Sequence, residues 1–330
     1  MLFLVLVFWT LNYSVMMAQQ LGKSRYDRSV SLTVDNDALL LLPQFDKYYS
    51  SGIYLSYRRN LDSESFWFRK FNKKEQLAKA IIEYSFEHRF FTPSDIKKTN
   101  PRLIDRPFAG WIDLAIGLNL YYKKNSLLRI KYDLGLLGPG TKAEELQVWF
   151  HGVFGMKEPR GWKYQINNTL ATNVNLSYSK QVFISSNNNF EISTESSLQA
   201  GTIRNNVRSG LAFRFGDFGD FTNSLFTKSN IGQERVDIKS MPKGKRVQEV
   251  YLFYRINMEY VVHNATIDGN IIGTKSAFTK TSLPWVLHQE IGVGRAGRLF
   301  DFLFSIHFRS KEIVDNKKHQ YITIGLNQRF

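Results

Sequence analysis

Hydrophobic residues recur at every second position through most of this chain. From Ile112 to Tyr122 one face carries Ile112, Leu114, Ile116, Leu118, Leu120 and Tyr122, and the other carries Asp113, Ala115, Gly117, Asn119 and Tyr121. A period of two held this long is strand geometry, because successive side chains leave a strand on opposite sides. Leu128, Ile130, Tyr132, Leu134 and Leu136 alternate in the same way with Arg129, Lys131, Asp133 and Gly135. The break at Lys123 to Ser126 supplies a hairpin turn, so these two strands are expected to be neighbours. The pattern returns at Val30/Leu32/Val34, Ile53/Leu55/Tyr57, Leu170/Thr172/Val174/Leu176/Tyr178, Leu211/Phe213/Phe215, Leu252/Tyr254/Ile256/Met258/Tyr260/Val262, Phe302/Phe304/Ile306/Phe308 and Tyr321 to Phe330. An all-β chain follows.

A soluble sandwich and an outer-membrane barrel both alternate, and strand length separates them. Several strands reach the ~9–11 residues that cross a bilayer at a tilt, against ~5–6 in soluble sheets. The faces opposite the apolar ones carry Arg129, Lys131, Asp133, Arg255, Asn257 and Glu259, which suit a polar lumen, and the chain ends in an alternating strand with a terminal Phe330. An antiparallel transmembrane β-barrel is therefore predicted. The apolar run Leu2 to Leu11 is too short for a spanning helix and fits a secretory core, although no Lys or Arg precedes Lys23. Residues 1–18 are expected to be a signal peptide and 19–330 a single barrel domain. No linker or repeat divides that domain. The chain has no Cys, which excludes a disulfide scaffold, a thiolate zinc site and a cysteine nucleophile.

One segment departs from alternation. Lys142 to Met156 places Ala143, Leu146, Trp149, Phe150 and Val153 at helical spacing, with Glu144 and Glu145 near its start, where the helix dipole favours acid. Gly138-Pro139-Gly140 precedes it and Glu158-Pro159 follows, so a short helix in a long loop is predicted, carrying His151. Of the six His none is paired at i, i+4, and no G-x-S-x-G elbow is present, which argues against zincins and α/β-hydrolases. Near the amino-terminal strand, Thr33, Asp35 and Asp37 alternate with Val30, Leu32 and Val34 and are expected to face the lumen, with Asn36 at the rim. Asp35, Asn36 and Asp37, with Asp46 beyond them, offer hard oxygen donors of the kind that hold Ca²⁺; the same residues also favour a simple turn.

The ordered set Asp35-Asn36-Asp37, Tyr49-Ser50-Ser51-Gly52, Asp105 to Trp111, Gly138-Pro139 before a helix with Gln147 and His151, Glu158 to Gln165 and Phe308 to Glu312 resembles the lipid A 3′-O-deacylase family of Gram-negative outer membranes. The resemblance runs from about Ser29 to the carboxy terminus and rests on order and spacing, since no single motif is specific. It implies a barrel of about twelve strands, an active site between the barrel wall and a loop helix, and Ca²⁺-dependent hydrolysis of the 3′-linked acyloxyacyl ester. It further implies catalytic roles for His151, Asn36, Asp37 and Ser50, the last replacing a threonine. Asp37 and Asp35 are the implied metal ligands, and Lys97 or Lys98 binds substrate. An acidic residue expected shortly after the histidine falls on Glu158 or, without a gap, on Lys157.

Net charge is +15, from 44 Lys and Arg against 29 Asp and Glu. A nucleic-acid partner would call for basic residues clustered among aromatics, whereas here they are spread along the chain, and export removes the protein from nucleic acid. On a barrel the same charge suits anionic lipid A or lipopolysaccharide at the cell outer membrane. The competing reading is a non-catalytic barrel, porin-like or structural, that keeps the pattern without activity. A monomer is expected in either case.

Overall fold

The computed structural model describes residues 25–37, 48–234 and 249–330. The signal peptide expected over 1–18 and Asp46 lie outside these described residues. Twelve antiparallel strands close into one barrel. They are β1 (Arg28–Asn36), β2 (Tyr48–Asn60), β3 (Leu77–Thr92), β4 (Ala109–Tyr122), β5 (Ser126–Leu137), β6 (Thr169–Ile184), β7 (Phe190–Gly201), β8 (Arg204–Asp217), β9 (Glu249–Asn264), β10 (Trp285–Ala296), β11 (Phe300–Arg309) and β12 (His319–Arg329). Lengths run from 9 to 16 residues, enough to cross a bilayer at a tilt. Each strand pairs with its chain neighbour, and β12 meets β1 in register from Ile322 opposite Asn36 to Arg329 opposite Ser29.

The two faces are chemically opposed, as alternation requires. Leu114, Leu134, Leu170, Leu252 and Leu326 are exposed on the outside, while Asp113, Asp133, Arg214, Glu259 and Arg329 are buried within. Strands β3, β7 and β10 are absent from the sequence-predicted set because polar residues interrupt their apolar faces. In β7, Ser196 shares a hydroxyl hydrogen bond of 2.9 Å with Ser209, and in β10 Gln289 accepts one of 2.8 Å from Tyr254. Pairing across strands satisfies these groups without water.

Both ends of the described chain lie at one end of the barrel, with the short turns 123–125, 185–189 and 297–299. That end is also filled from within. Residues 218–234 fold into the lumen, where Phe221 and Ile231 pack on Ile81, Tyr121 and Leu127. The insert is tied to wall strands all round. Arg58, Tyr121 and Arg129 donate to its carbonyls at Lys228 and Thr227, while Ser224 and Asn230 bond to Glu249 and Asp301. On the outside of the same end, helix α1 (Phe66–Phe71) packs Phe68 and Phe71 against the wall at Leu77, Ala80 and Leu120.

Long loops gather at the opposite end. The predicted loop helix appears as α2 (Ala143–Val153), entered through Lys142 in a left-handed conformation at φ 59°. A short helix α3 (Ala265–Asp268) sits in the β9–β10 loop.

Candidate active site

Phe90 and Gly110, paired across β3 and β4, continue the outward-facing rows that include Tyr84 and Leu114. Against them lies α2. A Cβ on Gly110 would stand 2.4 Å from that of Ala143 and 2.2 Å from Thr141 Oγ1, so the absent side chain is what lets the helix start close to the wall. Phe90, Ala143, Ile96, Phe108 and Trp162 form one buried cluster. The histidine-bearing helix is therefore mounted on the outer face of the barrel near its loop end, where the wall meets lipid.

Ala143, Gln147 and His151 recur every four residues and form the buried side of α2. Trp162 Nε1 donates to Gln147 Oε1 at 2.8 Å, which holds the middle of that side against the following segment. His151 Nδ1 is hydrogen-bonded to the carbonyl of Lys157. A carbonyl only accepts, so Nδ1 carries the proton and Nε2 keeps its lone pair. The carbonyl of Lys157 thus helps to orient the imidazole. Glu158 is exposed and pairs instead with Arg160 at 3.1 Å. The opposite side of α2 exposes Leu146, Trp149, Val153 and, after the helix, Phe154.

Ser50 occupies a register shift between Tyr49 and Ser51, the extra residue of a β-bulge. The bulge buries Ser50 and turns its hydroxyl to the Phe90 carbonyl, at 3.4 Å. The Asp37 amide donates to the Ser50 carbonyl at 3.3 Å, which brings the end of β1 to the same bulge. Asp37 is buried, and Asn36, which continues the outward row of Val30, Leu32 and Val34, is half-buried. Asp35 faces inward: Thr323 donates to its Oδ1 at 2.6 Å and Tyr49 to its Oδ2 at 2.7 Å.

Lys97, exposed, and Lys98, half-buried, lie in the β3–β4 loop. That loop is fixed to the segment after α2 by the Arg160 amide, which donates to the Ile96 carbonyl at 2.8 Å. The structure accordingly gathers Asn36, Asp37 and Ser50 at one bulge, places α2 on the far side of Phe90, and sets Lys97 and Lys98 beside α2. Asp35 is drawn into the barrel wall. Sequence reasoning missed Thr323 and Tyr49 as its partners, although both lie on inward rows of strands next to β1 and could have been found by pairing those rows.

Oxygen donors dominate the bulge: the Asp37 carboxylate, the Asn36 amide, the Ser50 hydroxyl and backbone carbonyls. This set fits a hard cation such as Ca²⁺ better than zinc. Among the described residues no group of three His, Asp or Glu is gathered for a metal.

A family model described as outer membrane protein LpxR matches residues 2–330. Nothing among curated proteins matches the chain. Of the solved structures, LpxR from Salmonella typhimurium is 19% identical, with 92% of this chain and 100% of that one covered and a TM-score of 0.71. The translocator domain of the autotransporter NalP from Neisseria meningitidis is 9% identical, with 99% of each chain covered and a TM-score of 0.42.

Proposed function

This chain belongs to the LpxR family of outer membrane proteins, and we propose that it removes the 3′-linked acyloxyacyl chain of lipid A by ester hydrolysis at the bulge beside α2. The observation that carries this reading is the position of His151. A lipid-modifying group belongs where acyl chains can reach it, and α2 stands on the outer wall with an exposed apolar side.

His151 Nε2, the acceptor nitrogen, takes a proton from a water molecule as that water attacks the ester carbonyl. The new bond joins water oxygen to acyl carbon. As the tetrahedral intermediate breaks, the bond to the sugar oxygen cleaves and His151 returns the proton to that oxygen, releasing the acyl group as a carboxylic acid that then loses its remaining proton to solvent. Asn36 supplies an N–H toward the developing oxyanion. Ser50 supports the shell through the bulge, and Asp37 is the carboxylate that would hold a cation. Ca²⁺, when bound there, would supply electrostatic stabilisation of negative charge on the ester oxygen. Asp35, with both oxygens engaged, serves as the anchor of β1 rather than as a ligand. Lys97 or Lys98 pairs with a glucosamine phosphate as a point charge.

Expression in a host without such an enzyme, followed by mass spectrometry of lipid A, tests the proposal. Wild type should yield a species lacking the 3′ acyloxyacyl group, and His151→Ala should abolish it while heat-modifiable migration of the barrel persists. Unchanged lipid A with a folded wild-type protein would support the non-catalytic reading instead. The insert of 218–234 already speaks against an open porin, since it occupies the lumen at the turn end.

A further inference from the structure

Leu120 lies in the same outward row as Leu114 and Ile116, which are 65% and 46% exposed, yet Leu120 itself is fully covered. What covers it is α1, through Phe68 and Phe71. The helix therefore lies on the lipid side of the wall, at the turn end of the belt. Phe66 and Trp67 face away from the wall and are exposed, in edge-to-face contact at 5.2 Å between ring centres. Exposed aromatics on a short helix at this depth are characteristic of a membrane–water interface, where amphipathic rings prefer to sit.

Around these rings basic residues gather. Arg69, Lys70, Lys73 and Lys74 are exposed, and Lys70 Nζ lies 5.5 and 5.4 Å from the ring centres of Phe66 and Trp67. The Lys123 amide donates to the Gln76 carbonyl at 2.9 Å, which brings Lys123 and Lys124 of the next turn to the same rim. Among the described residues none of these cations is in an ion pair. Between helix and wall opens a cleft of about 560 Å³ lined by Lys70, Phe71, Lys73, Lys74, Gln76 and Tyr122. Its lining combines three lysines with two aromatic rings.

We infer that this cleft binds an anionic glycerophospholipid from the leaflet at the turn end, its phosphate among Lys70, Lys73 and Lys74 and its acyl chains along Phe71, Tyr122 and the outer wall. Two observations select this occupant. The cleft is continuous with the lipid-facing belt, so a lipid reaches it without leaving the bilayer. Its three lysines favour net negative headgroups over zwitterionic ones, since each cation near such a surface strengthens attraction. The site is separate from α2, which lies at the other end of the barrel, and it does not depend on catalysis.

Native mass spectrometry of the full chain in detergent micelles, with phosphatidylglycerol and phosphatidylethanolamine at equal concentration, tests the inference. Wild type should retain phosphatidylglycerol preferentially, and added salt should weaken that preference. The triple variant Lys70→Gln, Lys73→Gln, Lys74→Gln should lower phosphatidylglycerol retention by about tenfold or more and leave phosphatidylethanolamine unchanged. Heat-modifiable migration checks that the variant has folded, and the salt titration on wild type stands even if it has not. Equal retention of the two lipids, a preference insensitive to salt, a folded triple variant that binds as wild type does, or displacement by inorganic phosphate at the lipid's own concentration would each overturn the assignment.

Discussion

Removing the Arg106 side chain should loosen three outer loops at once. Its guanidinium donates to Glu312 at 2.8 Å and to Thr266 at 2.9 Å, and it lies 4.9 Å from the centre of the Phe91 ring. One fully buried side chain thus joins the β3–β4, β9–β10 and β11–β12 loops. Deleting one member of a buried ion pair costs about 3–5 kcal/mol, chiefly because the remaining charge is left without compensation. Here Arg309 stays 3.3 Å from the other Glu312 oxygen, so the lower end, about 3 kcal/mol, applies. At about 1.4 kcal/mol per tenfold, Arg106→Ala should speed local opening about a hundredfold. Hydrogen–deuterium exchange reads this directly at amides such as Leu283, which donates to the Glu312 carbonyl at 2.7 Å, while amides of β6 should not change.

Acidity gives a second arm to the same experiment. Burial alone would raise the Glu312 pKa, but Arg106 and Arg309 outweigh it and hold the carboxyl well below the usual range. Burial also works against the Arg106 charge; with an ordinary pKa above about 12, the guanidinium nevertheless stays protonated. A depressed carboxyl pKa contributes stability that is complete above the unfolded value, about 4.3, and disappears as pH falls through the folded value. Wild-type loops should therefore keep their protection below pH ~4, whereas Arg106→Ala should lose what remains at a higher pH. Replacing the pair together, Arg106→Met with Glu312→Leu, should restore part of the protection, because the uncompensated Glu312 carboxylate is removed while Arg309 loses one carboxylate partner. Unaltered exchange in Arg106→Ala, or equal loss in single and paired variants, would refute the reasoning.

Further predictions concern the site and the lumen. Gly110→Val drives a side chain into Thr141 and Ala143, so deacylation should fall about a hundredfold while the barrel still shows heat-modifiable migration, since a shift of about 1 Å at a reacting group is that costly. Exhaustive EGTA treatment should inhibit deacylation and added Ca²⁺ restore it, as lipid A mass spectra would record; full activity after chelation would mean that Asp37 holds no cation. Wild-type protein in planar bilayers should show no pore-sized conductance, and deletion of residues 220–231 should open one.

Alternation made the fold legible wherever one face stayed apolar, as in Ile112 to Tyr122. It failed where cross-strand pairs such as Ser196–Ser209 let a hydroxyl stand among lipid-facing residues, because such pairing is a property of two strands and not of either sequence. The helix around His151 was legible from its changed period. The inner insert was not, since residues 218–234 have no period and owe their place to long-range bonds from Arg58, Tyr121 and Arg129. Within the candidate site, the resemblance implied residues but could not imply their partners. That Lys157 orients His151 through its carbonyl is invisible to any reading of side chains. That Asp35 serves the wall required knowing which threonine of β12 stands beside it.

This last contact spans the chain. Thr323 and Asp35 are 288 positions apart, so the hold of β2 on this end of β1, through Tyr49 and the Ser50 carbonyl, is joined by that of the final strand only when the barrel closes. Until then the hairpin of β1 and β2 carries Asn36, Asp37 and Ser50 beside an open wall. The seam between first and last strand therefore ties the surroundings of the candidate site to barrel closure: a chain truncated before β12 lacks the Thr323 contact to Asp35.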